Sequence, residues 1–587
     1  MKEITTLHEL LGAAAPFASA EAKAWLLPLH STLGSDAQMK VFERPPKGVT
    51  KVVLATNIAE TSVTIDDVTL VIDCGRHKQN EYDPRRRMEA LVEGFASRAN
   101  LTQRRGRAGR VAAGVAVHLL TSHRFSQLEA QQAPELHRVP LERVVLRAMR
   151  LYPGESAAAL LAQLPQPPST AAVKSAVKVL IGLGALEPLS PTPAGAAAAG
   201  GSCDDGGSSS SSAGGGGGGL TERLTALGFH LASLPLDVRI GKLILLGAIL
   251  QCVDPALTLA AALTCRSPFV APFGMRAEAD EAKKALAVGG SDHLTVVRAY
   301  SEWDALSGSA RFKFAQEHFL SIKTLQMIAA TKRELLEQLH DARFVSLPKG
   351  HRGGGGFGGG GGGGADDGVR AAVGGAHHSR STEVLLGLLV GAMWPRVARV
   401  DPPPPPRGGG RGRGAARGRG SGDGDGRGGG ASGGGKIRVK DDCGVLTAAL
   451  HPSCISARPG LRSGYLVYSE LVQTDVLWIR DASPVAPVAL WLFGGRLAFD
   501  AKAGLVTLDD GWIRFKVGAE TAAAVLQLRQ QLDALLAQKV AHPDTDLSRA
   551  GAALIDGVTR LMGGGGGGGG GGEEKPSKVL AMYGAQR

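Results

Sequence analysis

The sequence predicts a multidomain chain: an α/β unit on parallel strands, a helical middle, and a strand-rich region that closes into a small barrel. Three observations carry this. Residues 1 to about 122 hold the short apolar runs AWLLPLHS, TKVVLATN, TLVIDCG and GVAVHLL, bounded by turns, as parallel strands buried on both faces do. Apolar residues then recur at helical spacing to about residue 348. Beyond residue 380 the pattern turns β-like, in KIRVK, GYLVYSELVQT, DVLWIRD, PVALWLFGG and WIRFKV.

The elements follow in order. KEITTLHELL places Ile4, Leu7 and Leu11 on one helical face. STAAVKSAVKVLIGLGALE aligns Val173, Val177 and Leu180, with Ser169 or Thr170 as N-cap. SDHLTVVRAYSEW opens with Ser291 and Asp292 as helix-start residues, within a helical bundle over 236–348, and TAAAVLQLRQQLDALLAQKV is a closing helix. Four inserts, Ala194–Gly219, Gly353–Gly364, Asp401–Gly435 and Gly563–Gly572, carry too little apolar surface to offset their chain entropy and read as disordered.

Composition narrows the partner. The net charge of +12 in 587 residues favours a polyanion, nucleic acid before membrane. Six cysteines, at 74, 203, 252, 265, 443 and 454, include no Cys-x-x-Cys pair, so neither a metal site nor a disulfide framework is expected, and reduced thiols in an intracellular protein are. The apolar stretch KLILLGAILQCVDPALTLAAALT is broken by Asp254 and Pro255, and the N-terminus lacks a signal-peptide core; a soluble chain is expected.

The chemistry concentrates in QRRGRAGR, Gln103 to Arg110. Gly106 and Gly109 let an anion approach the backbone, and Arg107 and Arg110, three apart on one helical turn, could turn their guanidinium forks on one phosphate. Such arginines neutralise charge in phosphoryl transfer. The octet alone fits equally a solvated basic helix or a grip on nucleic-acid phosphates. Upstream, ATNIAETSVTIDD (55–67) follows a buried strand, where open α/β sheets bind ligands. Its Thr56, Asn57, Thr61, Ser62 and Thr64 could donate to phosphate or ribose oxygens.

Taken together, PLHS (28–31), VFERP (41–45), ATNIAETSVTIDD and QRRGRAGR resemble, in order and spacing, motifs IV to VI of the second RecA-like lobe of DEAH-box (DExH) RNA helicases, nearest the RNA helicase A-like group. LHRVPLERVVLRAMRL, LTALGFHLASLPLD, FVAPFG and SDHLTVV resemble the family's winged-helix and helical-bundle domains, and LWIRDASPV its OB-fold. The implied division is a RecA-like lobe over 1–122, a winged helix over 123–235 with its insert at 194–219, the bundle over 236–348, a Gly-rich linker over 349–380, an OB-fold over 381–540 with its insert at 401–435, and a C-terminal helix and tail over 541–587. The resemblance implies that Gln103, Arg107 and Arg110 face the γ-phosphate of ATP, the last two as arginine fingers. It implies that Asp66 contacts the ribose, that Phe42 stacks on adenine, and that Ser31, Thr56 and Asn57 hold the RNA backbone. It also implies a β-hairpin over Lys78–Ser97, whose DPRRRME turn reads as strand-separating or merely solvated.

Two departures stand beside it. The family's first lobe brings a Gly-x-x-x-x-Gly-Lys-Ser/Thr loop and an Asp-Glu-x-His box that hold ATP and Mg²⁺, and neither occurs; the Gly-Lys pairs at Gly241 and Gly435 lead into Leu and Ile. The second lobe's opening strand is also missing ahead of EITTLHELL. The sequence therefore reads as the C-terminal part of a helicase, inactive alone, with a first unit open at one edge; the alternative is a non-catalytic RNA-binding protein. The insert after Asp401, with Arg407, Arg411 and Arg413, reads as an RGG-type RNA-binding tract or as an inert expansion. RNA, single-stranded or structured, is the expected partner, in nucleus or cytoplasm.

Overall fold

Two-residue alternation and helical periodicity translate here into sixteen described strands and a larger set of helices. The computed structural model describes residues 2–17, 19–30, 39–61, 65–84, 86, 88–189, 222–271, 275–346, 382–401, 436–457, 463–474, 476–509, 511–545 and 551–563. Most of the four inserts, and with them Arg407, Arg411 and Arg413, lie outside the described residues, as does Ser31. The chain divides into two compact units, 1–82 with 89–139, and 83–88 with 140–587.

In the first unit, helix Lys2–Ala13 precedes β1 (Leu26–Leu29) and β2 (Val52–Ala55), which pair in parallel from Leu26↔Val52 to Leu29↔Ala55. Strand β3 (Leu70–Asp73) leads into the neighbouring strands β4 (Arg76–Asp83) and β5 (Met88–Phe95), the hairpin expected from the sequence, and pairs in parallel with β6 (Val115–His118). Among the described residues no strand pairing joins β1–β2 to β3–β6. Burial on both faces, expected of all four runs, fails for the second pair: Ile72 is 64% and Val115 61% exposed. No described element covers that face. Leu7, expected on the buried face of the first helix, is exposed, and Ile4, His8 and Leu11 are half-buried.

The second unit begins with helices Glu142–Leu151, Ala157–Ala162 and Thr170–Gly182, followed by the short antiparallel pair β7 (Leu186–Pro188) and β8 (Glu222–Leu224). Ser169 is the N-cap of the third helix, its hydroxyl accepting from the N–H of Ala172. Helix Val238–Ile249 is apolar almost all round and is buried accordingly. Gly247 lets helix Val253–Thr264 approach: a Cβ at 247 would lie 2.4 Å from that of Ala256. No described helix is long and apolar enough to cross a membrane.

Five strands, β9 (Val397–Val400), β10 (Ile437–Lys440), β11 (Val445–Leu450), β12 (Tyr465–Gln473) and β13 (Leu477–Pro484), close a barrel. The circuit runs β9-β10-β11-β13-β12 and back to β9, antiparallel except for β11 beside β13. Ala398, Val439, Leu466 and Ile479 alternate inward to fill it. PVALWLFGG, expected as a strand, is helix Pro487–Phe493. An apolar run of this length carries no period, and Pro487 at the first helical position decides it. WIRFKV forms a strand outside the barrel: β14 (Leu497–Asp500), β15 (Leu505–Leu508) and β16 (Ile513–Lys516) make a separate antiparallel sheet.

A buried polar cluster ties the helical part of this unit to the barrel. Ser291 caps helix Asp292–Asp304, as its sequence position suggests. Asp292 accepts from Lys283 (2.9 Å) and from the N–H groups of Ile455 (3.0 Å) and Ala482 (3.2 Å). The His293 ring meets the Ser483 hydroxyl through Nδ1 (2.6 Å) and that of Ser469 through Nε2 (2.7 Å). Cys252 and Cys454 are free thiols, and burial pushes each up to about 12.

Two tests follow from these packing differences. Limited proteolysis should cut residues 1–122 before 236–348; a protease-resistant block over 1–122 would overturn the view of that unit as marginal. Burial lowers the His293 pKa, against the opposing pull of Asp481 and Asp292. The neutral ring is therefore favoured in the fold, so its stability is full above the ordinary value near 6.5 and is lost as pH falls toward the lowered one. The second unit should melt a few degrees lower near pH 5 than near pH 7.5, and His293→Gln should shrink that difference in a calorimetric scan.

Candidate nucleotide and nucleic-acid interface

QRRGRAGR sits at the end of helix Arg98–Arg105, whose start is fixed by a reciprocal capping box between Ser97 and Asn100. Leu101 and Ala108 face the core, which turns Arg104 inward. Its Nε donates to Glu60 (2.9 Å), and its Nη1 to Asp73 (2.9 Å) and to the carbonyl of Arg76 (3.2 Å). The Arg104 side chain is 12% exposed. Burial works against its charge, but the bonds to Asp73 and Glu60 outweigh it and raise its pKa. Asn100 holds the other oxygen of Glu60 (2.6 Å), and His118 Nδ1 lies 3.2 Å from the second oxygen of Asp73.

The arginines expected to act on phosphate come after this clasp. The helix ends at Gly106, so Arg107 and Arg110 lie in the following turn, and the expectation that they share one helical turn is corrected. Arg107 is half-buried, and its Nη2 donates to the backbone carbonyl of Glu60. Gln103 and Arg110 are exposed.

The loops that carry Phe42 and Asp66 share one lysine that the sequence gave no sign of. Phe42, 46% exposed, ends the short helical turn Lys40–Phe42, and Asp66 is exposed in the loop before β3. Lys51 binds both segments: Nζ donates to the carbonyls of Val41 (2.9 Å) and Glu43 (2.8 Å) and pairs with Asp67 (2.6 Å). A lone lysine flanking an apolar run reads as a strand end, so sequence alone gave no signal. Thr56, half-buried, and Asn57, exposed, directly follow β2, and the Thr56 N–H continues the parallel ladder to Leu29 (3.1 Å). Ser62 and Thr64 lie outside the described residues.

The chemistry available is thus a row of anion donors in the first unit, held from behind by a buried ionic clasp. Arg104→Ala would leave Glu60 and Asp73, both nearly fully buried, without their cation. It should destabilise the first unit by about 3 kcal/mol and speed amide exchange over 98–105; unchanged exchange there would refute the clasp.

Comparison with known proteins agrees with this geometry. Residues 7–112 match the helicase conserved C-terminal domain, 237–296 the ratchet-like helicase-associated domain HA2, and 505–564 the C-terminal domain in RNA helicases. The chain is 37% identical over 580 residues to DHX57 of Mus musculus, covering 96% of this chain and 38% of that protein. It is 33% identical to the DExH-box ATP-dependent RNA helicase DExH1 of Arabidopsis thaliana (93% and 46% covered). It is also 33% identical to the ATP-dependent DNA/RNA helicase DHX36 of Homo sapiens (92% and 46% covered). The chain therefore spans less than half the length of each of these relatives.

Proposed function

The chain belongs to the DEAH-box RNA helicase family, and from that premise we propose that it is the C-terminal part of an ATP-dependent RNA helicase whose complete protein binds and unwinds RNA. The observation that carries this reading is the division of labour within one octet. Arg104 is spent on the buried clasp, while Gln103 and Arg110 remain exposed and Arg107 is steered by the Glu60 carbonyl. Three such donors suit the charge of a triphosphate, the exposed Phe42 ring suits adenine, and Asp66 suits ribose hydroxyls. Bound Mg²⁺ would neutralise phosphate charge; the phosphate loop and acidic box that hold it in this family are not in this sequence. Hydrolysis is accordingly assigned to the complete protein.

The remaining assignments belong to the same proposal. Three helices followed by the β7–β8 pair support a winged helix over 123–235. The barrel's strand circuit, with its single parallel contact, supports an OB-fold over 381–540, a scaffold that takes oligonucleotides. Thr56, Asn57 and Ser31 would hold RNA backbone, and the Arg-rich insert would add sequence-independent phosphate affinity. An intracellular site of action accompanies this reading, with nucleus and cytoplasm both compatible.

In the complete protein, Arg107→Ala and Arg110→Ala should each lower RNA-stimulated ATP hydrolysis by roughly 10³-fold or more while leaving nucleotide-free RNA binding within about twofold. Hydrolysis that survives both changes would remove the finger assignment. A complete wild-type protein that binds RNA but never hydrolyses ATP would be the non-catalytic alternative.

A further inference from the structure

The barrel carries on its outside an open cavity of about 590 Å³, walled by Arg399, Asp401, Arg438, Tyr465, Trp512 and Arg514. Four separate stretches of sequence meet there. Arg399 and Arg438 stand directly opposite each other in the β9–β10 register, an arrangement that like charges disfavour. Asp401 bridges them, one oxygen 3.1 Å from Arg399 Nε and the other 2.6 Å from Arg438 Nε. Arg514, exposed within β16 opposite Thr507, is aimed by an Nε bond to the Gly511 carbonyl. Three guanidinium groups and one carboxylate thus line the cavity, two of the three paired with that carboxylate.

The same wall offers flat rings. Tyr465 stands opposite Arg399 in the β9–β12 register and packs on Phe515 with centroids 5.3 Å apart. The Arg399 guanidinium lies 5.9 Å from the Trp512 ring centroid, and Trp512 remains half-buried at the cavity. The ligand that satisfies this wall needs an aromatic ring and a negative charge a few ångströms apart. Simple anions and peptides of Asp and Glu alone lack the ring; a nucleotide unit joins a ring to a phosphate in one repeating unit.

We propose that the Arg399–Arg438–Arg514–Trp512 cavity is a single-stranded RNA subsite that stacks a base and binds its phosphate. It is distinct from the surface around Gln103, Arg107 and Arg110. It rests on the reading above only in taking RNA, rather than free nucleotide, as the source of the base and phosphate.

The test uses the full 587-residue chain and a fluorescein-labelled oligouridylate of about ten nucleotides, followed by anisotropy between roughly 50 and 200 mM salt. Arg438→Ala/Arg514→Ala should weaken binding about tenfold or more at low salt and flatten the slope of log affinity against log salt by roughly one unit. Trp512→Ala should weaken it about fivefold or more with the slope unchanged. Trp512→Phe, which keeps a ring, should bind nearly as the wild type and guards against misfolding as the cause. Wild-type affinity in the cavity variants would overturn the subsite while leaving the helicase reading intact. Displacement by uridine monophosphate or polyglutamate as effectively as by unlabelled RNA would overturn the RNA assignment. A wild-type chain that binds no RNA would overturn the subsite, while the helicase reading rests on the complete protein.

Discussion

The first unit depends on one buried guanidinium. Its parallel strands come in two pairs with no described strand pairing between them, and Arg104 spans the gap chemically. Glu60 follows β2, Asp73 ends β3, and both bond the same fork. Asp73 also receives the Gly75 N–H (2.9 Å) and lies against His118 of β6. Desolvating such a cluster costs about as much as its attractions return, so its value lies less in net stability than in geometry. A planar fork satisfied on two edges admits one arrangement of the segments that hold it. Arg107 inherits its place from this arrangement, since its own donor reaches the backbone of the clasped Glu60.

The second unit solves a similar problem with mostly neutral groups. Its barrel is closed by backbone pairing alone, but the helix that abuts it must be registered against β12 and β13. Ser291, Asp292 and His293 do this by reaching backbone and hydroxyl partners on the barrel strands, leaving the cluster nearly closed to water. Fully satisfied networks of this kind specify a packing, whereas a half-satisfied one would be worse than an apolar contact. The two units thus differ in kind: an arginine clasp beside exposed donors, and a latch built largely of hydroxyls and an imidazole around the Asp292–Lys283 pair.

Much of this was legible in the sequence, and the failures have physical causes. The octet alone fitted an anion grip or a solvated basic helix equally, and nothing in its spelling separates Arg104 from Arg107; that distinction requires knowing that Leu101 and Ala108 face the core. Thr56 and Asn57 stood out as candidates because they follow a strand end, where the fold class fixes ligand position, whereas Phe42 and Asp66 came only from the family resemblance. Lys51 was missed because its partners are two backbone carbonyls and a carboxylate sixteen residues on. In the barrel, β9 is four residues long and β11 is alanine-rich, so neither carried a β signal, while an apolar run capped by proline imitated one. The cavity on the barrel was invisible for a further reason: its walls come from residues near 400, 438 and 512, which only the β9–β10 register and the β15–β16 turn bring together.

The placement of the long inserts follows from the same framework. Two of them interrupt antiparallel pairs at points where the pairing itself holds the ends. Pro188 faces Glu222 across the β7–β8 pair, and the Asp401 N–H donates to the Lys436 carbonyl at 2.8 Å between β9 and β10. Closure entropy grows only with the logarithm of length, by about 0.6 kcal/mol per doubling. Extending a short hairpin loop roughly eightfold therefore costs on the order of 2 kcal/mol, a loss that one well-packed core residue can offset. No such tolerance exists between β2 and the helix carrying QRRGRAGR. There Glu60, Asp73 and Arg104 must meet within hydrogen-bond distance, and a change of register in the segments that carry them would strand a charge in the core. Chain length is thus free to vary where backbone pairing closes the loop, and it is constrained where buried charges do.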